Sequence, residues 1–258
     1  MLAPDLLLPQ LLGIADRAGA VLLEYYASSE LEVATKADRS PVTAADEAAE
    51  QVILAALREL TPEVLVVAEE AVARDGAPER PQGRFWLVDP LDGTREFISR
   101  NGEFTVNIGL VEDGLPVLGV VTAPARELAW WGAAGLGAWR RETAGAGAGT
   151  ATIRVRQRPR SGAVAVASRS HRDAETDRYL AEQGIEETVS AGSSLKFCLV
   201  AEGKADVYPR FGTTMEWDTA AGHAVLRAAG GSVRAVSGEP LTYGKPAFRN
   251  PGFVAEGA

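Results

Sequence analysis

Residues 85–94 read Phe-Trp-Leu-Val-Asp-Pro-Leu-Asp-Gly-Thr, an apolar run that meets a proline directly after its first charge. The run predicts a strand over 85–88. Proline removes the backbone donor that a strand needs to continue, so Asp89 is expected to leave the sheet there. Asp92-Gly93 then turns the chain. Two carboxylates three residues apart in such a turn can converge on one point, with the Leu91 carbonyl between them. Hard cations such as Mg²⁺ take all-oxygen ligands of this kind and keep waters that a phosphate can displace. An Asp-rich surface turn has the same composition, so this segment alone leaves both readings open.

The rest of the chain predicts two unlike parts. Leu8, Leu11, Leu12, Ala15, Ala18, Leu22 and Tyr26 recur at helical spacing, the mark of an amphipathic helix on a core. A second helix is expected over 43–60, stopped by Thr61-Pro62, with Val52, Ile53, Ala56, Leu57 and Leu60 as its buried stripe. Strand-like runs follow at 64–68, 85–88, 105–111 and 117–122, the last two joined by Asp113-Gly114, a strong hairpin signal. A further hairpin is expected from 127–131 to 138–140. Residues 144–150, Ala-Gly-Ala-Gly-Ala-Gly-Thr, read as a boundary or exposed loop. Beyond them strands (153–155, 163–167, 188–191, 206–208, 232–236) alternate with helices (173–183, 195–202, 218–229), an α/β pattern. The division expected is 1–150 and 151–258.

Composition narrows the partners. With 26 Lys+Arg against 35 Asp+Glu, the net charge of −9 argues against a nucleic-acid coat or a polybasic membrane anchor. An anionic substrate would need a cation to attract it. The N-terminal segment has no Lys or Arg before Arg17, and Asp5 and Asp16 interrupt it, unlike a signal peptide or an unbroken apolar span. A single cysteine excludes a disulfide framework and predicts a cytoplasmic setting. Cys198, in an apolar stretch, reads as packing rather than a nucleophile, and His223 as structural. No phosphate-binding Gly-x-x-x-x-Gly-Lys-Ser/Thr loop occurs.

Three more acidic segments accompany the first. Glu69-Glu70 follows an apolar strand and could be a solvated pair. Thr43 and Asp46 have the form of an N-cap with a partial capping box. Asp218, in Glu216-Trp-Asp218, could simply cap the helix after it. Their order and spacing carry a further message. Asp46 to Glu69 is 23 residues and Glu69 to Asp89 is 20. Together with D-P-L-D-G-T and the distal W-D, the chain resembles the lithium-sensitive, Mg²⁺-dependent phosphatases of the inositol monophosphatase superfamily. Residues 36–46, 86–97, 100–107, 168–171, 192–203 and 208–212 are similar, more narrowly, to its bacterial 3′(2′),5′-bisphosphate nucleotidases. Ala68 stands where the family usually has Gly or Ser, and 213–216 departs from the usual stretch, but neither removes a ligand.

The resemblance, over about 11–253, implies a layered α/β sandwich (αβαβα, sugar-phosphatase-like) with an antiparallel-sheet first half and an α/β second half. It implies that Glu69, Asp89, the Leu91 carbonyl, Asp92 and Asp218 hold two or three Mg²⁺ ions, and that Asp46 and Thr94 orient and deprotonate a water. Glu69, Gly93, Thr94 and Asp218 would also meet the substrate. Ser168, His171, Gly192, Lys196 and Arg210 would surround the 5′-phosphate, ribose and adenine. The activity implied is removal of the 3′-phosphate of 3′-phosphoadenosine 5′-phosphate, a by-product of sulfur assimilation, to give AMP and phosphate. Members of this type can associate with the cytoplasmic face of a membrane, though this sequence encodes no anchor. The competing readings are an inositol- or sugar-phosphate phosphatase, which needs no adenosine pocket, and a silent nucleotide-binding protein, which has no need of the full carboxylate set.

Overall fold

The computed structural model describes residues 3–28, 33–35, 41–79, 81, 83–145, 148–168 and 173–258. Its first helix, α1 (Pro4–Ala27), starts on a proline, whose missing N–H costs nothing in a first turn. By length and apolarity α1 could cross a bilayer, but its stripe of Leu7, Leu8, Leu11, Ile14, Ala15, Ala18 and Leu22 is packed into a core. A short antiparallel ribbon, β1 (Val33–Thr35) with β2 (Pro41–Thr43), leads into α2 (Ala44–Leu60). The buried face of α2 differs from the one expected. Val52, Ala56 and Leu60 are only half-buried, while Ala45, Ala49, Ile53, Leu54 and Leu57 go inside together with two carboxylates, Asp46 and Glu50.

Seven strands follow in chain order as one sheet: β3 (Leu65–Ala68), β4 (Arg84–Asp92), β5 (Thr105–Glu112), β6 (Leu115–Ala123), β7 (Leu128–Ala133), β8 (Gly137–Glu142) and β9 (Gly149–Ile153). Only β3 and β4 run parallel, because α3 (Glu69–Asp75) carries the chain back between them. The β5–β6 turn has positive φ at both Asp113 (50°) and Gly114 (77°), as a type I′ hairpin requires. β9 pairs with β8, so segment 144–150 leads into an edge strand of this sheet and the 150/151 division falls within β9. A short helix, α4 (Thr94–Ile98), follows β4.

The remainder runs β10 (Val164–Ser168), α5 (Ala174–Glu182), β11 (Glu187–Ala191), α6 (Leu195–Ala201), β12 (Val207–Arg210), β13 (Thr214–Met215), α7 (Ala220–Ala228), β14 (Ser232–Ala235), β15 (Arg249–Asn250) and β16 (Phe253–Glu256), the expected alternation with β13, β15 and β16 added to it. Five of these strands form the second sheet, in the order β11-β10-β12-β16-β14. Side chains alternate across it. Val164, Val166, Tyr208 and Phe253 join the core containing α6 and α7, while Ala165 and Val207 join Leu180 of α5. The result is five layers: α1/α2, large sheet, α6/α7, small sheet, α5.

Glycine lets the central layer sit close. A Cβ at Gly119 would lie 2.3 Å from the Ala221 carbonyl oxygen, and one at Gly109 2.8 Å from the Ala221 nitrogen. The first turn of α7 is therefore seated directly on β5 and β6, beside the segment carrying Asp218.

Candidate active site

β4 does not stop at Pro90. It continues to Asp92 through an irregularity, with Asp89 opposite Asn107 and Asp92 opposite Thr105. Three residues on β4 thus span two on β5, a bulge, where proline is tolerated. The bulge has a direct consequence for the site. In a regular strand, residues three apart point to opposite faces. The extra residue instead brings Asp89 and Asp92 to the same face. Asp92 Oδ2 accepts from Asn107 Nδ2 at 3.2 Å and lies 3.5 Å from the Thr105 hydroxyl. Asp89 Oδ1 accepts the Leu91 N–H at 3.1 Å, and the Leu91 side chain is buried.

Glu69 enters where β3 becomes α3, and Asp218 from the segment preceding α7. Carboxylate oxygens of Glu69, Asp89 and Asp218 lie within 4.8 Å of one another. Asp218 does not cap α7. Thr219 holds the N-cap position, and Asp218 Oδ2 accepts the Met215 N–H at 2.8 Å. Nor is the glutamate pair solvated: Glu70 is buried, its N–H donating to Glu50 Oε2 at 2.8 Å.

The charges do not balance. Burial, then the charges of Glu69, Asp92, Asp218 and Asp46, push the Asp89 carboxyl well above its ordinary range. Asp218 is raised by burial and by Asp92 and Glu69. Asp92 is raised by burial too, with Lys196, Asn107 and Ser194 opposing. Carboxylates this close and this dry call for a bound cation, and an all-oxygen set suits a hard divalent one.

Around this cluster, Asp46 is buried in the first turn of α2. Thr94 opens α4, which packs against β2 just before Asp46. Gly93 has a φ of 92° and no room for a Cβ, which would sit 2.1 Å from Ser193 Oγ. On the second-half side, Lys196 is buried over the Tyr208 ring at 5.4 Å, and its Nζ donates to the Ser193 carbonyl at 2.6 Å. Burial lowers its pKa to about 8; Arg210 adds to that shift and Asp92 opposes it. Arg210 ends β12, half-buried, and its charge also lowers Asp218. Gly192 is buried, its N–H donating to Glu103 Oε2 at 2.8 Å. Ser168 is half-buried at the end of β10. His171 lies outside the described residues, as do Arg169 and Arg172. His223 is buried and neutral, its pKa lowered by burial to about 3, with Nδ1 3.0 Å from the Tyr243 hydroxyl.

Sequence reasoning assigned no role to Asn107, Ser193, Ser194 or Glu103. A polar residue inside the apolar run of β5 was the available signal for Asn107.

Comparison with known proteins agrees with this geometry. Residues 5–254 match the model of the inositol monophosphatase family. The chain is 49% identical over 249 residues to the 3′(2′),5′-bisphosphate nucleotidase CysQ of Escherichia coli, covering 96% of this chain and 98% of that protein. Its counterpart of the same name in Buchnera aphidicola is 40% identical, covering 96% and 93%. Among solved structures, CysQ from Bacteroides thetaiotaomicron superposes with a TM-score of 0.80 at 42% identity, covering 95% of this chain and 94% of that one. An inositol monophosphatase from Anabaena superposes at 0.74 with 28% identity, covering 98% and 90%.

Proposed function

The chain belongs to the inositol monophosphatase family, whose members are metal-dependent, and from that premise we propose that it is a Mg²⁺-dependent 3′(2′),5′-bisphosphate nucleotidase, converting 3′-phosphoadenosine 5′-phosphate to AMP and phosphate. The observation that carries this reading within the family is the pair of cations beside the carboxylates. Lys196 lies near enough to both Asp92 and Arg210 for their charges to shift it. A monoester with one phosphate needs only the metals, whereas a second phosphate needs a second cationic anchor. The 49% identity with the Escherichia coli CysQ protein over 96% of this chain and 98% of that one supports the same reading. The first half, 1–150, would supply most of the metal ligands, and the second, 151–258, the nucleotide contacts and Asp218. A cytoplasmic setting fits the lone, buried Cys198.

Glu69, Asp89, the Leu91 carbonyl, Asp92 and Asp218 would hold two or three Mg²⁺ ions, which supply Lewis-acid polarisation of the phosphate and a water that ionises near neutral pH. Asp46 and Thr94 would together orient and deprotonate the attacking water. The water oxygen bonds to phosphorus as the ester bond breaks, the departing 3′-oxygen takes a proton from solvent to become the ribose hydroxyl, and the proton taken by Asp46 and Thr94 passes to solvent. Gly93 and Thr94 lie against the reacting phosphate. Ser168, His171, Gly192, Lys196 and Arg210 hold the rest of the nucleotide, so binding energy remote from the reacting bond positions that phosphate.

Phosphate release from adenosine 3′,5′-bisphosphate and from inositol 1-phosphate, with Mg²⁺ and after chelation, tests the reading. Activity should vanish on chelation and favour the bisphosphate. Lys196→Ala or Arg210→Ala should cost kcat/KM roughly 10- to 200-fold on the bisphosphate, as for one charged hydrogen bond, and little on the inositol ester. Equal losses on both substrates would refute the nucleotide pocket, and undiminished activity after chelation would refute the metal mechanism.

A further inference from the structure

Ser193 has a φ of 50°, in the left-handed region that non-glycine residues rarely enter. Its hydroxyl lies 2.7 Å from the carbonyl oxygen of Asp92 and 2.7 Å from that of Glu103, so one proton is shared between the end of β4 and the loop before β5. The next hydroxyl, of buried Ser194, donates to the Asp218 carbonyl at 2.9 Å. Just before them, a Cβ at Gly192 would fall 2.7 Å from Glu96 Cγ and 2.9 Å from the Glu103 carbonyl oxygen, so the backbone is pressed onto α4 and the loop before β5. Consecutive serines therefore grip the main chain of two carboxylate residues that reach the site from different elements, Asp92 from the end of β4 and Asp218 from the turn before α7. Lys196, in the following turn, ties back to the Ser193 carbonyl.

We propose that Ser193 and Ser194 are positioning residues for divalent-cation binding, setting the spacing between Asp92 and Asp218 through their backbones. Neither hydroxyl needs to touch metal or substrate to do this. The segment also joins the metal centre to Lys196, so a phosphate held there and the cations beside Asp92 share one rigid support. The inference rests on the metal-dependent reading above, but it does not require the substrate to be a nucleotide.

The experiment is Mn²⁺ titration of the full-length, metal-free protein by calorimetry, without substrate, for wild type, Ser193→Ala, Ser194→Ala and Ser194→Thr. Each alanine variant should weaken Mn²⁺ binding about 3- to 10-fold, the loss expected for one hydrogen bond. Ser194→Thr, which keeps the hydroxyl, should stay within about twofold of wild type. Excess metal should then restore much of the lost turnover in the alanine variants. Thermal unfolding selects variants that are folded, and either serine alone suffices for the test. Unchanged Mn²⁺ affinity in the folded alanine variants overturns the proposal, even if turnover of the bisphosphate falls. No preference for the bisphosphate in the wild-type enzyme, together with weakened Mn²⁺ binding in the alanine variants, would instead overturn the nucleotide reading and leave this one standing.

Discussion

Glu50 is completely buried, with one carboxylate oxygen on the Glu70 N–H and the other without a hydrogen-bond partner among the described residues. Burial is the main reason its pKa rises from 4.5 to about 7; the Glu70 charge adds to this, while the Glu70 N–H and Arg74 oppose it. The folded state therefore holds a proton that the unfolded chain has released. Stability from this residue is fully present below about pH 4.5 and is lost as pH rises through about 7. Glu50→Gln keeps an acceptor for the Glu70 N–H and removes the titration. In chelator, its stability relative to wild type should improve between those pH values, by at most about 3 kcal/mol for a shift of this size. Denaturant unfolding at pH 4, 6 and 8 measures this, and a difference independent of pH would exclude it. The same glutamate steadies the start of α3, and so the residue that delivers Glu69.

Elements place the site as much as residues do. α7 can bring Asp218 to Asp89 only because β5 and β6 offer bare backbone at Gly109 and Gly119. Gly119→Ala should cost about 1–3 kcal/mol through overpacking and weaken Mn²⁺ binding as the start of α7 moves outward. Unfolding and calorimetric titration test the two effects, and stability lost with metal affinity intact would break the link between helix seating and ligand geometry. Helices α1, α2, α5, α6 and α7 and most strands were legible beforehand because their periodicity is local: α1, α5 and the β5–β6 hairpin need no distant partner to be recognised, whereas the two-turn α3 was not expected. The bulge in β4 was not, since it exists only relative to Asn107 and Thr105. Likewise β16 passed unnoticed as four residues after Pro-Gly. The carboxylates were found because their order and spacing carry the family pattern, whereas the Ser193 and Ser194 contacts span 101, 90 and 24 residues and leave no local trace.

At the scale of the molecule, the metal centre joins the large sheet, which supplies Asp89, to the central helical layer, which begins just after Asp218. A cation there relieves repulsion in a chain of net charge −9 and fastens two layers together. Mg²⁺ at a hundredfold excess over its dissociation constant should add about 2.7 kcal/mol, raising Tm by roughly 5–10 °C for a protein of this size. Asp89→Asn should remove most of that gain while raising Tm in chelator, because it deletes a buried like charge. Calorimetric scans of both proteins with Mg²⁺ and with chelator decide it, and an equal Mg²⁺ gain in the variant would take Asp89 out of the site. The position of β16 matters at this scale too. It is the last of its sheet's strands along the chain, yet it lies between β12 and β14. On the ribosome, β12 and β14 are made while the strand that pairs with both of them is still missing. The nascent second half must wait with the facing edges of β12 and β14 exposed, a state open to misassociation, until Phe253–Glu256 has left the exit tunnel.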